Sequence, residues 1–467
     1  MTEADYGLLS PAWAGTPAAA ATNDSAFVQA MLDVEAAWVA VLADAGHCDP
    51  ADADALDAAS DAALYDLPSI AARGRDGGNP LIPLLGDLRR ELKSQGAPAS
   101  AASTVHRGAT SQDIIDTALM LLAVRAGALV RADLARAADA LEALALRHAD
   151  TACVARSLTQ HALPTTFGLR AANWLSGVVL AGRRLDAALE AAPLQWGGAV
   201  GTLASLTDLV GARPAGASGV PELSASLAGR LGLADPGAPW HTNRLPVTGL
   251  GAALADVVAA AGKVAADVLI LARPEIGELA EPVAEGKGGS SAMPQKRNPV
   301  LSVLLRTAAL SAPNHAAQLF LAAGMAVDER PDGAWHSEWP ALRELLRLAG
   351  GAAEKLADLV SGLTVDPAAM SRNAALSGDL LVSERIMSRV APLVDGGKDA
   401  VQALVRQSLA EGTALRHLLR AAVPADRLTD SELAEVLDPS GYLGQTRTFI
   451  DRAAAGNAAW RESRKES

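Results

Sequence analysis

Five stretches of the chain keep a helical apolar period over unusual length: residues 111–149, 165–192, 248–272, 299–323 and 338–363. At 1.5 Å per residue they reach on the order of 35–60 Å. Several are apolar round much of their circumference, as in Leu119-Met120-Leu121-Leu122-Ala123-Val124 and Val268-Leu269-Ile270-Leu271-Ala272. A helix apolar on every side has to be buried on every side. One chain of 467 residues supplies too few neighbours to bury five such rods. The expectation is an all-α fold of three helical domains, whose central long-helix bundle associates into a multi-subunit helical core. Closed symmetry makes a homotetramer the expected assembly. Asp256, Lys263 and Asp267 interrupt the most apolar run, so none of the stretches reads as a membrane span.

Composition agrees with this reading. Half the residues are hydrophobic but only 3% are aromatic, which favours helices built from Ala and Leu over sheets. A formal net charge of −13 repels phosphate backbones and anionic lipid, so neither nucleic acid nor a membrane surface is an expected partner. A small anionic substrate stays compatible, since a local cluster of donors reverses the field inside one cleft. Cys48 and Cys153 are far apart and read as thiols of a reducing compartment. The opening residues Met1-Thr2-Glu3-Ala4-Asp5 carry no basic stretch and no apolar core. No secretory signal is readable there, and a cytoplasmic location is expected. His47, His148, His315, His336 and His417 show no ligand spacing, so no metal site is expected. The run Gly286-Lys287-Gly288-Gly289 lacks the Ser or Thr after Lys that a phosphate loop needs, and no cofactor is expected.

Three regions follow from the patterning. Residues 1–105 form an N-terminal helical domain, beginning with a Pro- and Ala-rich arm over 1–22. Phe27, Met31, Val34, Trp38, Val41 and Ala45 then mark an amphipathic helix, capped by Asn23 or Asp24 and ended by Gly46. A looser stretch runs to about residue 105. Residues 106–363 hold the long helices, with a distinctive loop at 284–299, and 364–467 form a small helical C-terminal domain.

Three segments carry groups suited to chemistry. In Gly286–Pro299 three glycines make a hinge, two hydroxyls and a Lys follow, and Asn298-Pro299 opens the next long helix. That helix's first N–H groups and positive dipole end suit an anion. An ordinary polar linker would have the same composition. In His106-Arg107-Gly108-Ala109-Thr110-Ser111-Gln112-Asp113, Thr110 or Ser111 caps a long helix, and Asp113 three residues after Thr110 suits a capping box. In Arg156–Gly168 a single histidine, His161, precedes another helix. A structural imidazole is the bland alternative there.

Gly289-Ser290-Ser291-Ala292-Met293-Pro294-Gln295-Lys296-Arg297-Asn298-Pro299 resembles the signature loop of the fumarase/aspartase superfamily, GSSxMPxKxNP, at every fixed position. The order of domains and long helices resembles that family too. The resemblance implies that Ser290 is the carbon-acid base, with Ser291 the fallback. A serine hydroxyl is a weak base, so its alkoxide needs nearby cations and donors, which Lys296 and the loop N–H groups would supply. It further implies that Thr110, Ser111 and Asn298 hold substrate carboxylates, with His106 and Gln160 beside them, and that His161 is the general acid/base. The family's adenylosuccinate lyases have a second histidine three residues before that one, where this chain has Leu158.

Leu194–Leu203, Pro239-Trp240-His241-Thr242-Asn243-Arg244, Gly78–Pro83 and Asp438–Gly444 are most similar to the family's carboxymuconate cycloisomerase branch. His241, Arg244 and Arg330 are accordingly expected as carboxylate partners. The resemblance implies a metal-independent enzyme acting on a small polycarboxylate, with sites shared between subunits. The reaction expected is the interconversion of 3-carboxy-cis,cis-muconate and its lactone, within aromatic-acid breakdown. Read backwards, it is a β-elimination through an enolate-like dianion with a carboxylate as leaving group. A fumarate-releasing lyase such as adenylosuccinate lyase is the alternative, and an inactive structural homologue a more distant one.

Overall fold

The computed structural model describes residues 6–211, 219–282, 293 and 296–466. In chain order its helices begin with α1 (Pro17–Ala20), α2 (Asp24–Asp44), α3 (Pro50–Ala58), α4 (Leu67–Gly77), α5 (Leu81–Ser94) and α6 (Ala99–Thr104). They continue with α7 (Ser111–Arg147), α8 (Phe167–Glu190), α9 (Ala204–Gly211), α10 (Val220–Leu231), α11 (Leu245–Leu271), α12 (Val300–Gly324) and α13 (Gly333–Ser361). The remainder are α14 (Pro367–Ala375), α15 (Ser383–Arg389), α16 (Gly397–Glu411), α17 (Leu415–Ala422), α18 (Asp430–Leu437) and α19 (Thr446–Glu466). Strands β1 (Ala152–Ser157) and β2 (Gln160–Thr166) pair antiparallel, as do the two-residue β3 (Leu279–Ala280) and β4 (Thr364–Val365).

The five long helices lie where the apolar period places them, as α7, α8, α11, α12 and α13. Three differences are physical. Residues 47–105 are helical rather than loose: Pro50, Pro68 and Pro98 start or precede short helices whose apolar pattern is too brief to register as a period. The helix expected from residue 165 starts at Phe167, because residues 160–166 are spent on β2. The helix expected from 338 starts at Gly333 and carries Pro340 within it, where the missing N–H made the break look like a start.

Two compact units emerge, each drawn from three stretches: residues 1–134, 180–262 and 304–356, and residues 135–179, 263–303 and 357–467. In the first unit, α2 is long and apolar enough to cross a membrane by length and composition, but most of it is buried inside the unit. Asn23 caps it, accepting from Ala26 N at 2.8 Å, and Gly46, with φ of 73°, follows its last turn. Trp38 from α2 packs against Trp196, with ring centroids 4.6 Å apart and the planes tilted by 52°, and donates its Nε1–H to the carbonyl of Arg107 at 2.8 Å. That bond ties α2 to the turn leading into α7. The N-terminal arm lies on α13, where Trp13 Nε1 donates to Glu344 at 2.5 Å and Arg347 sits 4.7 Å over the indole. Gly351 admits the arm: a Cβ there would fall 2.1 Å from the carbonyl of Ala12.

In the second unit, α19 is fastened to the C-terminal part of α7 through Asn457 and Arg461, which both reach Asp139 and Glu142. A separate small core of Val382, Ile386, Val390, Val401, Leu415, Leu419 and Val423 holds α15–α17 together.

Candidate active site

The chemistry in the first unit gathers at the start of α7. The capping box expected there is half formed. Asp113 accepts the Thr110 backbone N–H at 2.9 Å, but the Thr110 hydroxyl does not return to Asp113 N; it accepts from Arg330 Nη1 at 2.7 Å. Asp113 is instead a collector. Its Oδ1 accepts from Gln195 Nε2 (3.1 Å), Gly197 N (2.8 Å) and His241 Nε2 (3.1 Å), and its Oδ2 from Gly198 N (2.9 Å) as well as Thr110. A fully buried carboxylate in the first helical turn is stabilised by the dipole and by this many donors. The loop over it must be glycine: Gly198 has φ of 69°, and a Cβ on Gly197 would lie 2.8 Å from His241 Cε1.

The structure thus brings Thr110, Arg330 and His241 together around one helix start, with Ser111 as the first helical residue. The sequence expects carboxylate partners for His241 and Arg244. Both do hold carboxylates, but the protein's own. His241 is 4% exposed and spends Nε2 on Asp113. Arg244 is buried between two acids, with Nη1 and Nη2 on Asp116 at 2.7 and 3.0 Å, and Nε and Nη2 on Glu338 at 3.1 and 2.6 Å. Burial opposes the charge on Arg244, yet Asp116 and Glu338 outweigh it and hold the guanidinium protonated. For Glu338 burial wins, and its carboxyl is pushed above the usual range despite Arg244. This triad joins α7, the residue that leads into α11, and α13, and leaves Arg244 no donor face for a substrate.

His106 stands just ahead of this helix start, with a left-handed backbone at φ of 63°. Its backbone N–H donates to Glu35 Oε2 at 2.9 Å, and its ring Nδ1 lies 2.7 Å from Glu35 Oε1. The sequence offered a signal for Glu35, Asp116 and Glu338 that the periodicity reading passed over: each is an acid set among apolar neighbours on a buried helix face.

The second unit holds His161 on β2. The two-residue connection Leu158-Thr159 has positive φ at both positions, 49° and 68°, as hairpin turns of type I′ require. That tight reversal was hidden by the lack of Gly or Asn. Leu158, where the adenylosuccinate lyases carry a histidine, is 93% exposed. His161 Nδ1 lies 2.9 Å from Ser377 Oγ, and the Gln160 amide, exposed beside it, reaches Thr159 Oγ1 at 3.4 Å. Near its turn the hairpin is anchored through Arg156, which places Nη1 and Nη2 on Glu278 at 3.2 and 2.7 Å, and Asn373 joins at 2.8 Å. Burial pushes Glu278 up, but the hydrogen bonds of Arg156 and Asn373 and the charges of Arg156 and Arg170 prevail and hold it below the usual range. A cavity of about 900 Å³ opens beside the hairpin, bordered by Arg156, Thr159, Thr165 and Arg170.

Ser290 and Ser291 lie outside the described residues. Lys296 is exposed, and Asn298, half-buried, accepts from Val300 N at 2.9 Å, two residues before the first full turn of α12. The free N–H groups expected at that helix start are taken: Glu281 accepts from Leu301 N at 3.0 Å and Ser302 N at 2.7 Å. The anion there is internal, since a carboxylate upstream in the chain reaches the helix start at no loss of translational freedom.

A lyase family profile matches residues 17–313. The chain is 47% identical to a nitrosuccinate lyase of Streptomyces davaonensis, over 97% of this chain and 95% of that one. It is 39% identical to a 3-carboxy-cis,cis-muconate cycloisomerase of Pseudomonas aeruginosa, over 95% of each. The crystal structure of a 3-carboxy-cis,cis-muconate lactonizing enzyme from Pseudomonas putida superposes with a TM-score of 0.86 at 33% identity, covering 97% of this chain and all of that one. The chain belongs to the fumarase/aspartase superfamily of lyases.

Proposed function

We propose that this enzyme eliminates a planar, two-oxygen anion from the carbon β to a substrate carboxylate, and that nitrosuccinate is its first substrate to test. In that reaction the C–H and C–N bonds break. The C–N electron pair leaves with nitrite, the proton goes to a base, and fumarate remains. The observation that carries the general chemistry is the start of α7, where the Thr110 hydroxyl and the Arg330 guanidinium, 2.7 Å apart, form a cradle for a carboxylate. The 47% identity to a nitrosuccinate lyase, against 39% to a cycloisomerase, supports nitrite as the leaving group.

Lactone formation from 3-carboxy-cis,cis-muconate is the second reading, favoured by the TM-score of 0.86 to the Pseudomonas putida lactonizing enzyme. The two reactions share their core. Run backwards, the lactone opens by expelling a carboxylate, which has the shape and the two-oxygen planarity of nitrite. In both, Ser290 exchanges the carbon proton, Lys296, Asn298, Thr110 and Ser111 hold carboxylates, and His161 assists as acid or base. Each site is completed by other subunits of a homotetramer. Exposed apolar side chains along α12, such as Leu310, Phe320 and Leu321, support that assembly.

The test offers both substrates to the purified enzyme and follows nitrite release and the ultraviolet absorbance of the muconate side by side. Nitrite release alone supports the first reading and muconate loss alone the second. Silence in both assays overturns them. Ser290→Ala should lower turnover by about three orders of magnitude with binding largely kept.

A further inference from the structure

Glu35 is 1% exposed, in the middle of the apolar helix α2, and belongs to none of the motif segments. Its carboxylate nevertheless makes two bonds to one residue 71 positions away, His106: backbone N–H at 2.9 Å and ring Nδ1 at 2.7 Å. A carboxylate only accepts, so Nδ1 must carry the ring proton. That choice leaves Nε2 as the ring atom with no protein partner among the described residues. The same two bonds hold His106 in its left-handed conformation, a backbone state that non-glycine residues adopt rarely. The neighbouring cation, Arg107, turns away to the carbonyl of His47 at 3.3 Å and to Thr104 Oγ1 at 3.4 Å. The imidazole is therefore fixed in position, in tautomer and next to a negative charge, just upstream of Thr110 and Ser111.

We propose that Glu35 is the positioning residue of a Glu35–His106 pair that delivers a proton to the departing group. This rests on the elimination reading above and assigns to His106, in place of His161, the proton that the departing group receives. With Nδ1–H held on Glu35, Nε2 is the ring atom left to carry and release the transferred proton. In the elimination step the Nε2–H bond breaks and an O–H bond forms on the leaving nitro or carboxylate oxygen. The C–N or C–O electron pair goes with the leaving group. The carbon proton goes to the base, and His106 returns to its neutral Nδ1–H form. A ring carrying its proton on Nε2 only, with a donor on Nδ1, could not cycle in this way.

Glu35→Gln separates positioning from packing. The amide oxygen still accepts the His106 backbone N–H, while the amide nitrogen must donate to Nδ1, which drives the neutral ring proton to Nε2. Geometry is kept and the tautomer is reversed. Solid-state 15N spectra of histidine-labelled protein, with His106 assigned by subtraction of the His106→Ala spectrum, should show an Nδ1–H ring in the wild type and an Nε2–H ring in Glu35→Gln. A wild-type ring protonated on Nε2 alone overturns the pair, whatever the substrate proves to be. In turnover, Glu35→Gln should lower kcat by a factor of about 100 or more, with KM changed less than about threefold. It should lower nothing further in a His106→Ala background, since Glu35 acts through His106. An unchanged kcat, or an equal loss in both backgrounds, overturns the role. Failure of the wild type on both substrates with the expected 15N pattern would count against the elimination reading and leave the pair standing.

Discussion

Replacing Arg244 by Met tests whether that arginine belongs to the scaffold or to the substrate. Two acids, Asp116 and Glu338, converge on it through four contacts between 2.6 and 3.1 Å, and all three groups are buried. Removing one partner of a buried ion pair typically costs about 3–5 kcal/mol, and here two carboxylates lose the cation they share. The upper end of that range is expected at pH 8. The loss should shrink in acid. Burial already holds the Glu338 carboxyl above the usual range, and losing Arg244 pushes it further up. A carboxyl raised in the folded state gives its full stability below its unfolded pKa and loses it as pH rises through the folded value. Acidifying from pH 8 to 5.5 therefore returns part of the deficit, about 1.4 kcal/mol for each unit by which the folded group is raised within that window. The assay is urea unfolding of wild type and Arg244→Met at matched protein concentration at both pH values. Arg244→Met/Glu338→Gln should recover much of the pH 8 loss, because one buried charge is gone. A deficit under about 1 kcal/mol at pH 8, or one that grows on acidification, would refute the reasoning. A variant of normal stability and raised KM would return Arg244 to the substrate.

Arg330→Met should leave stability unchanged, as the side chain is exposed, but raise KM for a dicarboxylate tenfold or more, as read from initial rates; an unchanged KM removes Arg330 from the cradle. Leu158→Asn/Thr159→Gly supplies residues that tolerate positive φ at both turn positions, and relieving about 1 kcal/mol per residue should slow amide exchange across β1 and β2. Unaltered exchange would mean the turn is unstrained. Glu278 sits below the usual carboxylate range, so its contribution is present above the unfolded pKa and lost as pH falls through the folded value. Acid unfolding followed by circular dichroism should thus begin at higher pH than in wild type when Arg156 is replaced by Met, and a coincident transition would refute it.

The long helices were legible because their signal is local. Period and length alone separate α7, α8, α11, α12 and α13 from anything else a chain can form. The hairpin was not legible, since Leu158-Thr159 carries no Gly or Asn, and its positive φ values are sustained by pairing between Arg156 and His161 rather than by turn propensity. Thr110 and Arg330 could each be named from sequence, 220 residues apart, but not their 2.7 Å contact. His241 and Arg244 show the limit most clearly. Residue type says that a buried His or Arg will seek a carboxylate, and the sequence determined that much. Which carboxylate it finds depends on distances across helices α7, α11 and α13, and only the tertiary structure decided for Asp113, Asp116 and Glu338. The same holds for Glu281 at the start of α12 and for Glu35 beneath His106: an acid within one chain is already close, so folding fills such positions before a ligand can.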